Sequence, residues 1–218
     1  MLKKTDIFAH TIHEIEFPEF ENIQQPLIDH ISSNFNSEFN NEYYGHDQPI
    51  RSGAVIKLYD SHTWYHEGRT IENPNLKSLL DWITEQGKLY WKTLGLSSNL
   101  TPYVLQAWAT AVKRGGFVAS HNHNPVPISG VFYLKCNPNQ GNLFLENPLD
   151  LLIGKSALQA SDKTPTRLNY EVQAISGKLV LFPGWMKHFT RPNDTDELRM
   201  SMAVNIGCHG QVHFTEFI

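Results

Sequence analysis

The chain has 218 residues, and 11 of them are histidine. Neutral imidazole is a common metal ligand, so the spacing of these histidines is the first thing to weigh. Ser120-His121-Asn122-His123-Asn124-Pro125 carries two of them two residues apart. In an extended chain such residues point to one face, so His121 and His123 can reach the same ion; the same spacing also suits a surface loop with two solvated rings. Leu179-Val180-Leu181-Phe182-Pro183-Gly184-Trp185-Met186-Lys187-His188 is an apolar strand that runs into a Pro-Gly turn, with His188 either a further ligand or a strand-end residue. Arg199 to Ile206 alternates: Met200, Met202, Val204 and Ile206 form an apolar face, and Arg199, Ser201, Ala203 and Asn205 the opposite one. The apolar face must be buried. The other either meets solvent or lines a wet pocket in which Arg199 clamps a carboxylate. A hairpin centred on Asn193-Asp194 sets His188 opposite Arg199, within reach of one small acid that chelates a metal at one end and meets a guanidinium at the other.

Such groups need a rigid frame, and the pattern around them is that of short strands. Tyr103 to Val112, Gly130 to Cys136, Asn142 to Leu145, Tyr170 to Ile175, Lys178 to Phe182 and Arg199 to Ile206 read as strands separated by Gly, Pro and Asn turn signals. Many short strands at close spacing imply a β-sandwich or barrel. Earlier in the chain, Ile23 to Phe35 and Asn75 to Leu94 have apolar residues at helical spacing, and Gly95 is a stop signal for the second. Asn36 to Asn73 reads as loop with one strand at Ala54 to Leu58, and Gly154 to Arg167 as a polar loop or lid. The expected fold is therefore mainly β with flanking helices (α+β): residues 1–100 form a helical and loop region packed on a β core of residues 101–218, in one compact domain overall.

From Gln106 to Ile206 the residues resemble the iron(II)- and 2-oxoglutarate-dependent oxygenases, in particular a bacterial and phage branch. The likeness rests on Gln106-Ala-Trp108-Ala-Thr110, His121-Asn-His123-Asn-Pro125, Ile128-Ser-Gly130-Val-Phe-Tyr133-Leu, Gly141-Asn-Leu-Phe-Leu-Glu-Asn-Pro148, Gly177-Lys-Leu-Val-Leu-Phe-Pro183-Gly-Trp185 with His188, and Arg199-Met-Ser201, in that order. The resemblance implies a double-stranded β-helix, the jelly-roll core also found in cupins, with Fe(II) held by His121, His123 and His188. It implies that Arg199 and Ser201 hold the far carboxylate of 2-oxoglutarate with help from Tyr133, and that O2 is the co-reactant in hydroxylation of a small molecule or peptide. One position departs from the family pattern. The usual second ligand is Asp or Glu, and here it is His123. Either three imidazoles bind the ion, or His123 stands back from it, or Glu146 or Asp150 supplies a carboxylate.

Other readings stay open beside this one. A cupin-type metal enzyme that uses no keto acid would make Arg199 structural, and a non-catalytic β-barrel module would bind no iron. His62 and His66 are four apart but in a loop-like context, His209 and His213 read as surface residues, and Cys136 as core. Trp82 and Trp91 belong to the helix core, while Trp108 and Trp185 flank the proposed site. Lys113-Arg114-Gly115-Gly116 is a small basic turn. No Ser-His-Asp order, Gly-x-Ser-x-Gly elbow or phosphate-binding glycine loop is present. The net charge of −4 argues against a general nucleic-acid binder. There is no apolar run long enough to span a membrane, the N-terminal segment lacks the apolar stretch expected of a secretory signal, and the two cysteines form no framework. The expected compartment is the cytoplasm.

Overall fold

In the computed structural model, which describes residues 10–33, 55–57, 73–148 and 169–210, the helices fall within two residues of their sequence positions: α1 is Glu21–Ser33 and α2 is Pro74–Thr93. Asn73 caps α2, its side chain accepting from the N–H groups of Asn75 and Leu76 at 3.0 Å each, and Pro74 occupies a position where no N–H is needed. Gly95 ends it at φ +67°, donating to the Lys92 carbonyl at 3.0 Å. Leu76, Leu79, Leu80, Ile83, Tyr90 and Trp91 are buried, while Trp82 is only half-buried, edge-on to Phe17 and Phe132.

Among the described residues nine strands make two sheets. They are β1 His13–Glu16, β2 Val55–Lys57, β3 Thr101–Val112, β4 Ile128–Lys135, β5 Leu143–Glu146, β6 Asn169–Val172, β7 Lys178–Pro183, β8 His188–Thr190 and β9 Arg199–His209. The larger sheet has the order β1-β7-β4-β9-β3-β2 and the smaller one β6-β5-β8, with every pairing antiparallel. The 118–121 segment extends the smaller sheet: Thr190 donates to the Val118 carbonyl at 3.0 Å, and His121 and His188 exchange backbone bonds of 3.1 and 2.9 Å. The chain thus crosses between sheets at nearly every step, from β3 to the 118–121 segment, to β4, to β5 and β6, to β7, to β8, to β9. This is a double-stranded β-helix, mainly β with flanking helices, as the resemblance implies.

The large sheet separates two apolar clusters by the period-two rule. On one face Ala107, Ala109, Ala111, Phe132, Leu134, Leu179, Leu181, Met200, Met202, Val204 and Ile206 pack with the helices. On the other, Tyr133, Val180 and Phe182 pack with Leu143, Leu145, Val172 and Met186. Two strands of the N-terminal region flank the core sheet: β1, pinned by an ion pair of 2.8 Å between Glu14 and Lys178, and β2. β2 lies within the strand expected at Ala54 to Leu58, whereas β1 and β8 carry no strand signal long enough to read.

The expected hairpin is not formed. β8 pairs with β5 and β9 pairs with β3 and β4, so His188 and Arg199 are on opposite sheets and are not cross-strand neighbours. The fold forces this, because consecutive strands of a double-stranded β-helix face each other across the sandwich. The segments holding His62 and His66, Asp150, the 154–167 stretch and His213 lie outside the described residues. No helix among the described residues is long and apolar enough to cross a membrane.

The packing of α2 on the sheet has a direct check. Ile83 is fully buried and Leu89, on the opposite side of the helix, is 52% exposed. Ile83→Ala should cost about 2–5 kcal/mol, and Leu89→Ala should stay within about 0.5 kcal/mol, in urea unfolding followed by circular dichroism.

Candidate functional site

His121, His123 and His188 converge. One nitrogen from each lies within 4.8 Å of the other two, and among the described residues no other group of three His, Cys, Asp or Glu side chains is close enough to hold an ion. The 118–121 segment and β8 bring two of them together through their reciprocal backbone bonds, and His123 is fastened by its N–H to the Gly184 carbonyl at 2.8 Å. That turn can approach so closely because residue 184 is glycine: a Cβ there would stand 2.0 Å from the Val126 carbonyl oxygen.

The rings are oriented by the main chain. His121 Nδ1 lies 2.8 Å from the Ala119 carbonyl and His188 Nδ1 lies 3.0 Å from the Met186 carbonyl. A carbonyl can only accept, so each Nδ1 carries a proton, and in the neutral ring the lone pair then sits on Nε2, the tautomer a metal requires. His123 Nε2 is 3.2 Å from His121 Nε2. His188 is buried against Phe182, with ring centroids 4.7 Å apart. Burial, together with the neighbouring His121 and His123, holds it well below the usual histidine range, against the opposing pull of the Met186 carbonyl. It is therefore neutral at pH 7, the form that ligates.

The cavity that these imidazoles line is also lined by Arg199, Ser201, Thr110, Tyr133 and Trp108 from the large sheet and by Thr190 from the small one. Arg199 is 2% exposed. Its Nη1 donates to the carbonyls of Gln140 (3.1 Å) and Gly141 (2.5 Å), and its Nη2 to Thr190 Oγ1 (3.3 Å). Its Nε is buried without a partner, and among the described residues no carboxylate pairs with it. A buried cation lacking a counter-charge is costly, and an anion entering the cavity would offset that cost. Tyr133 is buried beside it, and burial pushes its hydroxyl pKa upward, so the phenol stays protonated and can donate. Ser201 and Thr110 complete the polar patch, their hydroxyls 3.3 Å apart.

All six residues expected at the site, His121, His123, His188, Arg199, Ser201 and Tyr133, line this one cavity. One expectation is corrected, that of Trp185, and the other residues singled out stand apart from the three imidazoles. Trp185 is 40% exposed, edge-on to His10, and does not line the cavity as Trp108 does. The Glu146 carboxylate accepts from Ser120 Oγ and stands outside the three-imidazole group. Cys136 lies just beyond β4 and is half-buried, its thiol pushed up to about 12 by burial. Arg114 pairs with Asp196 at 3.3 Å, away from the cavity. Thr110 and Thr190 had no assigned role. Thr110 could have been found, since it shares the β3 face of Trp108 at two-residue spacing; Thr190 could not, because β8 is too short to show a period.

Residues 106–205 match the family model described as "Putative 2OG-Fe(II) oxygenase". No curated protein sequence matches the chain at a significant level. Among solved structures, a prolyl-4-hydroxylase from Pseudomonas putida has a TM-score of 0.57 at 16% identity, over 93% of this chain and 95% of that one. A prolyl hydroxylase from Trichoplax adhaerens, in complex with a hypoxia inducible factor oxygen degradation domain peptide fragment, has a TM-score of 0.57 at 14% identity, covering 90% of this chain and 83% of that one. The epimerase SnoN of nogalamycin biosynthesis, in complex with Fe3+, alpha ketoglutarate and nogalamycin RO, has a TM-score of 0.58 at 10% identity, over 93% and 82%. At these identities the structures speak for the fold, and the family model for the sequence. Residues 106–205, which contain every residue lining the cavity, are thus similar in sequence to the 2OG-Fe(II) oxygenases, within a fold shared with solved members of that group.

Proposed function

We propose that the chain is a non-haem iron(II) dioxygenase that couples oxidative decarboxylation of 2-oxoglutarate to hydroxylation of a carbon on a small-molecule or peptide substrate. One observation carries it: three converging imidazoles share a cavity with a buried guanidinium that has no carboxylate partner among the described residues. His121, His123 and His188 would hold the ion on one side, leaving positions open on the other, the arrangement of non-haem iron oxygenases. Bound iron would supply the chemistry in which O2 takes two electrons from the keto acid, giving succinate and carbon dioxide, and two from the substrate, one oxygen atom going to each.

The remaining work falls to the chain's own side chains. The far carboxylate of the keto acid is met by Arg199 and by the hydroxyls of Ser201 and Tyr133, with Thr110 beside them. The apolar walls contributed by Val131, Leu143 and Phe182 exclude water, which strengthens each of these contacts. The Ala119 and Met186 carbonyls hold Nδ1 of His121 and of His188, so each ring is turned in advance to offer Nε2 to the ion. The structural relatives include two prolyl hydroxylases and an epimerase, which supports keto-acid-driven oxidation and leaves its outcome to the substrate.

His123 favours a second reading. With a carboxylate replaced by a neutral ring, the ligand set carries no negative charge, as in a cupin-type metal enzyme that uses no keto acid. The two readings part at Arg199. Hydrogen bonds to charged groups contribute about 1.5–3 kcal/mol each. Arg199→Ala should therefore weaken 2-oxoglutarate binding by about tenfold to a few hundredfold, and Arg199→Lys should recover only part of this, because a point charge cannot make a forked contact. The measurement is anaerobic titration of the Fe(II) protein, followed by the absorbance of the keto-acid chelate. Equal affinity in wild type and Arg199→Ala transfers preference to the cupin-type enzyme.

The metal set is tested separately. His121→Ala, His123→Ala and His188→Ala should each lower Fe(II) affinity by more than the ~10–100-fold that loss of an orienting partner costs. Anaerobic equilibrium dialysis reads this. Wild-type affinity in His123→Ala would leave two histidines as the protein's ligands.

A further inference from the structure

A buried guanidinium is only as well aimed as the groups that hold it, and Arg199 is held by one turn. Its Nη1 donates to the carbonyls of Gln140 and Gly141 at 3.1 and 2.5 Å. Those carbonyls are fixed by the Gln140 side chain, which is 1% exposed. The Gln140 Oε1 accepts from the Asn137 N–H at 2.8 Å, closing the turn on itself. Its Nε2 donates to Thr195 Oγ1 and to the Glu197 carbonyl, each at 3.1 Å, tying the turn to the loop that leads into β9. That loop is in turn held by the fully buried Asn193, whose Nδ2 donates to the carbonyls of Val112 (2.9 Å) and Glu197 (2.7 Å). At the end of the turn Gly141 has φ +86°, and a Cβ there would stand 2.0 Å from the Arg191 carbonyl oxygen, so the turn has one seat against the strand that leaves β8.

We infer that Gln140, which does not itself line the cavity, is a positioning residue: through the two carbonyls that hold Arg199 it fixes where the guanidinium fork stands, and so the preference of the site for a keto acid with a second, distant carboxylate over one with a single carboxylate. The inference rests on the keto-acid reading above. Its chemistry is that of second contacts. A guanidinium whose anchoring carbonyls can drift loses the aim that two-point binding of a carboxylate needs, while the metal end of the ligand is untouched.

Gln140→Met keeps the side-chain length and removes all three hydrogen bonds. The full-length Fe(II) protein is titrated anaerobically with 2-oxoglutarate and, separately, with pyruvate, which chelates alike but has no far carboxylate. The expected result is an increase of about tenfold in the 2-oxoglutarate dissociation constant, with pyruvate and Fe(II) affinities held. An equal loss for both keto acids would make Gln140 a general structural residue, and an unchanged 2-oxoglutarate affinity would remove it from the device; either overturns the inference. Should Gln140→Met not fold, Thr195→Val removes one partner of the Gln140 amide at a half-buried position and should give the same selective pattern at smaller size, no change being again a refutation. A wild-type protein that chelates neither keto acid sinks the underlying reading, an outcome distinct from a variant that chelates both as the wild type does.

Discussion

Strand β9 has its backbone satisfied between two others. It pairs with β3 from Arg199 to His209 and with β4 from Met200 to Ile206, so each side chain is committed to one face of the sheet or the other. A slip of one residue would send Met200 and Met202 into the cavity and turn Arg199 and Ser201 towards the helices. The apolar set packs into the same core as the buried face of α2, with Ile206 against Gly87. The position of the guanidinium is therefore tied to the burial of four apolar side chains, and the stability of the core and the placing of Arg199 are the same register seen from two sides.

The electrostatics of the cavity follow from that register and from the short strands opposite. Arg199 enters from the large sheet with its charge, and the imidazoles line the same space, His188 among them held neutral by burial. Among the described residues no acidic side chain lines the space between them. Everything that would neutralise a divalent ion and a guanidinium together has to arrive with the ligands. With a carboxylate at residue 123 part of that charge would be built in; with histidine the pocket is more strongly cationic and depends more on the anions it admits.

The fold was legible in the sequence to the extent that its strands were long or strictly alternating. β9 shows its period plainly, β7 and β4 read as apolar runs bounded by turn residues, and α2 carries both a cap and a stop signal. The N-terminal strand His13–Glu16 alternates Glu with His and Ile, too short and too polar to be told from a loop, and it becomes a strand because the edge of β7 is there to receive it. The six expected side chains of the candidate site were visible because each sits in a motif of unusual composition. Their spatial relation was not, since a constant-sum hairpin rule presumes that β8 and β9 share a sheet. Arg199 and His188 meet the same cavity by facing each other across the sandwich, a relation that leaves no mark on local spacing. The carbonyls of Gln140 and Gly141 were beyond reach for another reason: backbone groups carry no residue type.

His121 and His188 hang from residues that exchange both of their backbone hydrogen bonds. The small sheet cannot part at that seam without drawing the two rings away from each other. An ion held between them would act as a clasp across the seam. Local opening of the 118–121 segment would then require its release, and amide protons along that segment would exchange more slowly as the concentration of free metal rises, by the mass-action coupling that ties any ligand to the form that binds it.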